Sequence, residues 1–159
     1  MENYIKVLKS LCSQENLKKL TDLDNKNVLA FVATFAERCK PAAIVVCTDS
    51  AEDLDMIRKS AVERGEETPL AARGHTIHFD GVKDLARDKN STKYLLKGTD
   101  DMFLNGIDKK QGLIEMYGLL EDCMKGKDMI VSFYCLGPVG CEFSIYGVQL
   151  TDSYYVAHS

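Results

Sequence analysis

The sequence has no apolar run approaching the roughly 18 residues that a membrane-spanning helix needs. Its start, Met1-Glu2-Asn3-Tyr4, has neither the basic nor the apolar region of a secretory signal, so the cytosol is the expected compartment. There is no basic stripe. Lysines are dispersed and the formal net charge is −4, which argues against nucleic acid or an anionic membrane as the main partner. None of the six cysteines falls in a C-x-x-C pair. Reduced thiols acting as small hydrophobes are the plain reading, with a Cys135–Cys141 disulfide across the intervening turn as the alternative. A phosphate loop of the form G-x-x-x-x-G-K-[ST] is also absent. Gly126-Lys127 runs into Asp128, and Gly137-Pro138-Val139-Gly140 has no lysine and loses an amide to proline.

What is present is an ordinary globular composition, 45% hydrophobic and 28% charged, in 159 residues: one domain's length, enough to bury a core. Tyr4 to Leu20 reads as one kinked helix or two short ones. Val28 to Cys39 is the clearest helix, with Val28, Phe31 or Val32, Phe35 and Cys39 recurring at helical spacing, and Pro41 stops it. Ala43 to Cys47 has a strand's length. Thr48-Asp49-Ser50 then turns into a helix with Ser50 as N-cap and Asp53 at the capping-box position; Leu54, Ile57 and Ala61 form its apolar face and Gly65 closes it. Thr76 to Phe79 and Thr92 to Leu96 read as strands. Gln111 to Lys125 reads as an amphipathic helix through Leu113, Tyr117, Leu120 and Met124.

The end of the chain is richest in strand formers. Met129 to Leu136 reads as a strand buried on both faces, Phe143 to Leu150 as a second, and Tyr154 to Ala157 as a third. The whole predicts an α/β fold: a mixed sheet with flanking helices, closing in an antiparallel three-strand run. An uncovered last strand invites self-association.

Most polar clusters have plain explanations. His75 and His78 are three apart on a predicted strand and point to opposite faces, which disfavours a shared metal. Asp49, Asp53 and Asp55, and Asp100 with Asp101, do not follow EF-hand spacing. A strand leading into an N-capped helix, as at Ser50, can bind an anion, but ordinary capping explains the same residues. Arg87, between Asp84 and Asp88, reads from its surroundings as a surface charge.

Leu136-Gly137-Pro138-Val139-Gly140, followed by Gly147-Val148-Gln149-Leu150-Thr151-Asp152-Ser153, resembles the amino-terminal lobe of GTP-dependent phosphoenolpyruvate carboxykinases. Cys39-Lys40-Pro41, Cys47-Thr48-Asp49-Ser50 and Asp84-Leu85-Ala86-Arg87 stand upstream in the family's order. The resemblance covers roughly Phe31 to Ser159. The short forms at Gly74 to Gly81 and Asp88 to Tyr94 look like the archaeal-type branch.

The resemblance implies that residues 1–159 are one domain, the amino-terminal lobe of a larger two-lobed enzyme. Such an enzyme converts oxaloacetate and GTP to phosphoenolpyruvate, GDP and CO2, using Mn2+ or Mg2+ as a Lewis acid. It implies that Arg87 holds a carboxylate of oxaloacetate or phosphoenolpyruvate, a task for which paired guanidinium donors are suited. Phosphate loop and metal ligands belong to a carboxy-terminal nucleotide-binding lobe in this family. This chain alone is therefore expected to bind neither cofactor and to be inactive. The alternative is a free-standing, non-catalytic binding module, or a separately encoded subunit, of the same ancestry.

Overall fold

In the computed structural model, which describes residues 2–81, 92–98 and 105–159, short polar side chains set where most helices begin. Helix α1 (Glu2–Leu11) ends before Ser13, whose hydroxyl accepts from the Asn16 amide at 3.1 Å and starts α2 (Gln14–Thr21). The stretch is two helices. Asn25 accepts from the amides of Asn27 and Val28 and starts α3 (Lys26–Cys39) two residues before its first apolar position. Lys40, in the left-handed region, and then Pro41 end it. Each such cap contributes about 1 kcal/mol by satisfying amides that the helix cannot.

Strand β1 (Ala43–Val46) leads through Thr48-Asp49-Ser50 into α4 (Ala51–Glu63). Gly65, at φ +74°, donates to the Val62 carbonyl while Glu66 donates to that of Ala61. This is the paired closure that a glycine just past a helix end permits. Ile57 and Ala61 are fully buried, but Leu54 is exposed and does not belong to the buried face. Two short strands follow, β2 (Thr68–Pro69) and β3 (Thr76–Ile77), paired antiparallel. The strand predicted to reach Phe79 stops at Ile77.

Strands β4 (Tyr94–Leu96) and β5 (Gly106–Asp108) pair in parallel, and α5 (Lys109–Leu120) follows with Asp108 as its cap. Gly112 lets α5 lie close to these strands, since an added Cβ would collide with Leu95. The helix ends before Met124. Met124 is buried, its amide donating to the Cys39 carbonyl at 3.0 Å, whereas most of α5 is exposed. Residues Phe79–Glu121 form one compact unit, and Met1–His78 with Asp122–Ser159 form the other.

The larger unit closes with β6 (Asp128–Leu136), β7 (Ile145–Thr151) and α6 (Tyr154–His158). The sheet order is β1-β6-β7. β1 runs parallel to β6, with Ala43 opposite Asp128 and Val46 opposite Val131. β7 runs antiparallel to β6, with Thr151 opposite Ile130 and Ile145 opposite Leu136. The protein is thus α/β with a mixed sheet and flanking helices, as the sequence predicts.

Three expectations about this region change. Tyr154 to Ala157 is a helix, because the Ser153 hydroxyl caps it and Tyr154 turns into the core. The second strand begins at Ile145, since Cys141 to Ser144 forms a turn closed by the Ser144 amide on the Cys141 carbonyl at 3.0 Å. The third change concerns the first strand, which is buried on both faces only through its first half. Met129, Ile130 and Val131 have no exposed surface, whereas Phe133, Tyr134 and Leu136 are exposed. Ile130 packs with Cys47, Ile57, Ala61 and Tyr154 on the α4–α6 side. Met129 and Val131, opposite Ile44 and Val46, point to the other side of the sheet. Beyond Ser132 the β6–β7 hairpin runs past these helices. There the Tyr134 ring lies over Gly147 on the paired strand, in space that any Cβ would occupy. Among the described residues no helix is long and apolar enough to cross a membrane.

Candidate functional site

Parallel strands in open α/β sheets present ligands at their carboxyl ends, which makes the corner after β1 the first place to examine. Ser50 accepts from the Asp53 amide at 3.1 Å, as the capping pattern predicts. The Asp53 carboxylate does not complete an ordinary capping box. It reaches past the cap to the amide and hydroxyl of Thr48, at 2.8 and 2.5 Å, and takes a third bond from Lys19 at 2.7 Å. Burial opposes the charge on Asp53, but these bonds outweigh it and hold its carboxyl below the usual aspartate range. Burial opposes the charge on Lys19 too, and its bonds to Asp53 and Glu15 raise it above the usual lysine range. Asn16 accepts from the Val46 amide at 2.9 Å in the same corner. An anion approaching this helix start would meet a carboxylate already in place. The corner is a lock joining α2, β1 and α4, and the capping explanation of Ser50 holds. Lys19 carries no sequence signal, since it lies 34 residues from its partner.

The second Thr-Asp-Ser triplet does the same work at the end of β7. Thr151 accepts from the Ser153 amide at 3.1 Å, and Asp152 pairs with Lys127 at 2.5 Å. Ser153 caps α6 and also donates to Glu66 at 2.6 Å, while Glu66 accepts from the Tyr155 amide at 2.8 Å. Burial opposes ionisation of Glu66, yet the bonds from Ser153 and the Tyr155 and Tyr154 amides, with Arg64 nearby, lower its pKa. Asp128 accepts from the Tyr154 hydroxyl at 2.8 Å and pairs with Arg64, whose guanidinium also lies 4.6 Å over the Tyr154 ring. Burial and the bond to Asp128 push the Tyr154 hydroxyl up to about 12. These residues anchor α6 to the end of α4.

Two of the histidines are likewise structural. His78 stacks on Tyr155 at 3.8 Å between ring centres, with Nδ1 2.6 Å from the Glu66 carbonyl. His158 stands 3.3 Å from buried Glu67. Among the described residues no three His, Cys, Asp or Glu side chains converge on a point that would hold a metal ion. The glycine-rich turn between β6 and β7 spends its amides internally. Gly140 donates to the Tyr146 hydroxyl at 2.9 Å and Cys141 to the Ser144 hydroxyl at 3.2 Å, so neither is aimed at a phosphate. Cys135 and Cys141 are both partly buried free thiols.

A groove of about 850 Å³ runs beside α4, where the carboxylates of Glu52, Asp55, Glu63 and Glu67 outnumber Arg58 and Lys59, with His75 and His158 also on its wall. Arg87, the one candidate binding residue from the sequence, lies outside the described residues, as do Asp84, Asp88, Asp100 and Asp101.

Comparison with known proteins supplies what the geometry does not. The sequence model for the phosphoenolpyruvate carboxykinase N-terminal domain matches residues 30–159. A protein named phosphoenolpyruvate carboxykinase [GTP] from Thermococcus sibiricus is 46% identical over 153 residues, which is 96% of this chain and 25% of that protein. A protein of the same name from Pyrococcus furiosus is 39% identical over 160 residues, 100% of this chain and 26% of that protein. One from Treponema pallidum is 31% identical over 141 residues, 87% of this chain and 23% of that protein. The chain spans about a quarter of the length of the curated relatives it matches.

Proposed function

The chain belongs to the phosphoenolpyruvate carboxykinase N-terminal domain family, and from that premise we propose that residues 1–159 act as the substrate-side lobe of a GTP-dependent phosphoenolpyruvate carboxykinase. The reaction is the conversion of oxaloacetate and GTP to phosphoenolpyruvate, GDP and CO2. The observation that carries this reading is the family match over residues 30–159.

In this reading the chain contributes position rather than chemistry. The sheet β1-β6-β7 gives a wall, with Asp53 tying the end of β1 to α4 and Glu66 tying the segment after α4 to the start of α6. Arg87 holds a substrate carboxylate by two parallel charge-assisted hydrogen bonds, which fix both distance and orientation. The described residues do not fit a divalent cation, and no phosphate loop is present in the sequence. No step is therefore assigned to a metal or to GTP on this chain. Mn2+ or Mg2+ and the nucleotide are held by the rest of the enzyme.

A chain-swapped enzyme tests the proposal: this chain replaces the matching first quarter of the Thermococcus sibiricus protein. The expected result is phosphoenolpyruvate formation from oxaloacetate, GTP and Mn2+, with no turnover by the isolated 159-residue chain. A folded but inactive chain-swapped enzyme overturns the assignment. Turnover by the isolated chain overturns the division of labour.

A further inference from the structure

The part of the hairpin beyond Ser132 has the surface of an interior. Ile145 is 62% exposed, Tyr146 64%, Phe143 78% and Val139 82%. Glu142 is the only charged residue from Met129 to Thr151. Strand neighbours alternate in direction, so the exposed groups fall on both faces of the hairpin. Tyr134, Leu136 and Ile145 share one face, and Phe133 and Tyr146 the other. The outer edge of β7 is also unpaired among the described residues. It has no lysine, proline or acidic residue, the devices by which natural sheets blunt a free edge. At the opposite side of the sheet, β1 is bridged at Ile44 by Cys12 and packed by α1 and α2.

We propose that β7 is an inner strand in the working protein: an apolar, extended segment from the remaining three quarters of the enzyme pairs with its outer edge. The same body covers both faces of the hairpin between Phe133 and Tyr146. The proposal rests on the reading that the chain is one part of a carboxykinase. The relatives' length leaves ample chain to supply the strand, since only 25% of the Thermococcus protein is matched. A second copy of this chain is the weaker occupant. Two hairpins joined edge to edge would cover the β7 edge and leave both exposed faces in water, whereas embedding in a larger body covers all three surfaces. A rim whose one charge is Glu142 calls for an apolar partner rather than a strongly basic or acidic one.

Hydrogen–deuterium exchange separates the occupants. It is measured on the isolated chain, on the chain-swapped enzyme and on the unaltered Thermococcus sibiricus enzyme. In the isolated chain, the β7 amides that face away from β6 are expected to exchange at least a hundredfold faster than in either long protein. In parallel, Phe143→Asp and Ile145→Asp are expected to leave the melting temperature of the isolated chain unchanged and to lower that of the chain-swapped enzyme by several degrees. Fast exchange at those amides in the long proteins overturns the proposal. So does an isolated chain that sediments as a dimer with the same amides already protected. Activity is not read in this experiment. A protected β7 in an inactive chain-swapped enzyme retains the docking surface and discards the catalytic reading, and an exposed β7 in an active one does the reverse.

Discussion

Ser153 donates a 2.6 Å hydrogen bond to Glu66, which precedes it by 87 residues. The same hydroxyl accepts from the Val156 amide at 3.2 Å and starts α6. One oxygen thus serves as a helix cap and as a tie between the end of α4 and the end of β7. Ser153→Ala removes both. A lost cap costs about 1 kcal/mol and a lost bond to a charged group about 1.5–3 kcal/mol. The two are not independent, so the expected destabilisation is about 2–3 kcal/mol, read as a lower midpoint in urea unfolding. Ser153→Thr keeps the hydroxyl and should stay close to the parent. Equal midpoints for all three proteins would show that the tie contributes nothing.

Two hydrogen-bonded carboxylates, buried Asp53 and half-buried Glu66, make the fold acid-sensitive. The pKa values of Asp53 and Glu66 are both lowered in the folded protein. Unfolded, an aspartate titrates near about 3.9 and a glutamate near about 4.3. Between the folded and unfolded values the unfolded chain binds more protons, so acidification favours unfolding. The stabilisation is fully present above the unfolded values and is lost as pH falls through the folded ones. Stability should therefore be flat from neutral pH down to about 5 and fall steeply below about 4. Asp53→Asn and Glu66→Gln lower the plateau and flatten that acid limb. The check is the denaturation midpoint against pH. An acid limb of unchanged slope in the double variant would remove these residues as its cause.

The contrast between local and distant partners explains how much of this was legible in the sequence. Ser50 and Gly65 act on groups within a few residues, and the helix boundaries they imply are the observed ones. The antiparallel pairing of β6 and β7 follows from two long apolar runs joined by a short turn, whereas the parallel pairing of β1 with β6 has no local mark. Tyr154 to Ala157 was misread because aromatic and β-branched residues favour strands only where a strand neighbour exists. Its helix is started by the adjacent Ser153 cap and held by Glu66, which no local pattern links to it. Lys19 and Asp53 are distant in the same way. The run Met129 to Leu136 looks uniformly interior because its second half is as apolar as its first. Composition does not tell which half the helices reach. The role proposed for Arg87 rests on the family resemblance alone, since an arginine among aspartates has no chemical mark of a binding site.

That residue gives the sharpest kinetic expectation. On the role proposed for it, Arg87→Ala in the chain-swapped enzyme removes a hydrogen-bonded charge partner worth about 1.5–3 kcal/mol, or about one to two decades in kcat/KM for oxaloacetate. Arg87→Lys keeps the positive charge and loses the planar fork, so it should also be impaired, though less. This ordering distinguishes a bidentate clamp from a general electrostatic attraction, for which lysine would serve as well as arginine. A contact equally good in the ground and transition states appears as a higher KM for oxaloacetate at unchanged kcat. A contact that orients the substrate for loss of CO2 lowers kcat as well. Under the proposed division of labour the nucleotide is held elsewhere in the enzyme, so the KM for GTP should hardly move in either variant. Circular dichroism spectra matching the parent's exclude a folding defect as the cause. A surface charge with no substrate contact predicts parental kinetics for both variants. Parental kcat and KM for Arg87→Ala would therefore withdraw the assignment of a substrate carboxylate to Arg87.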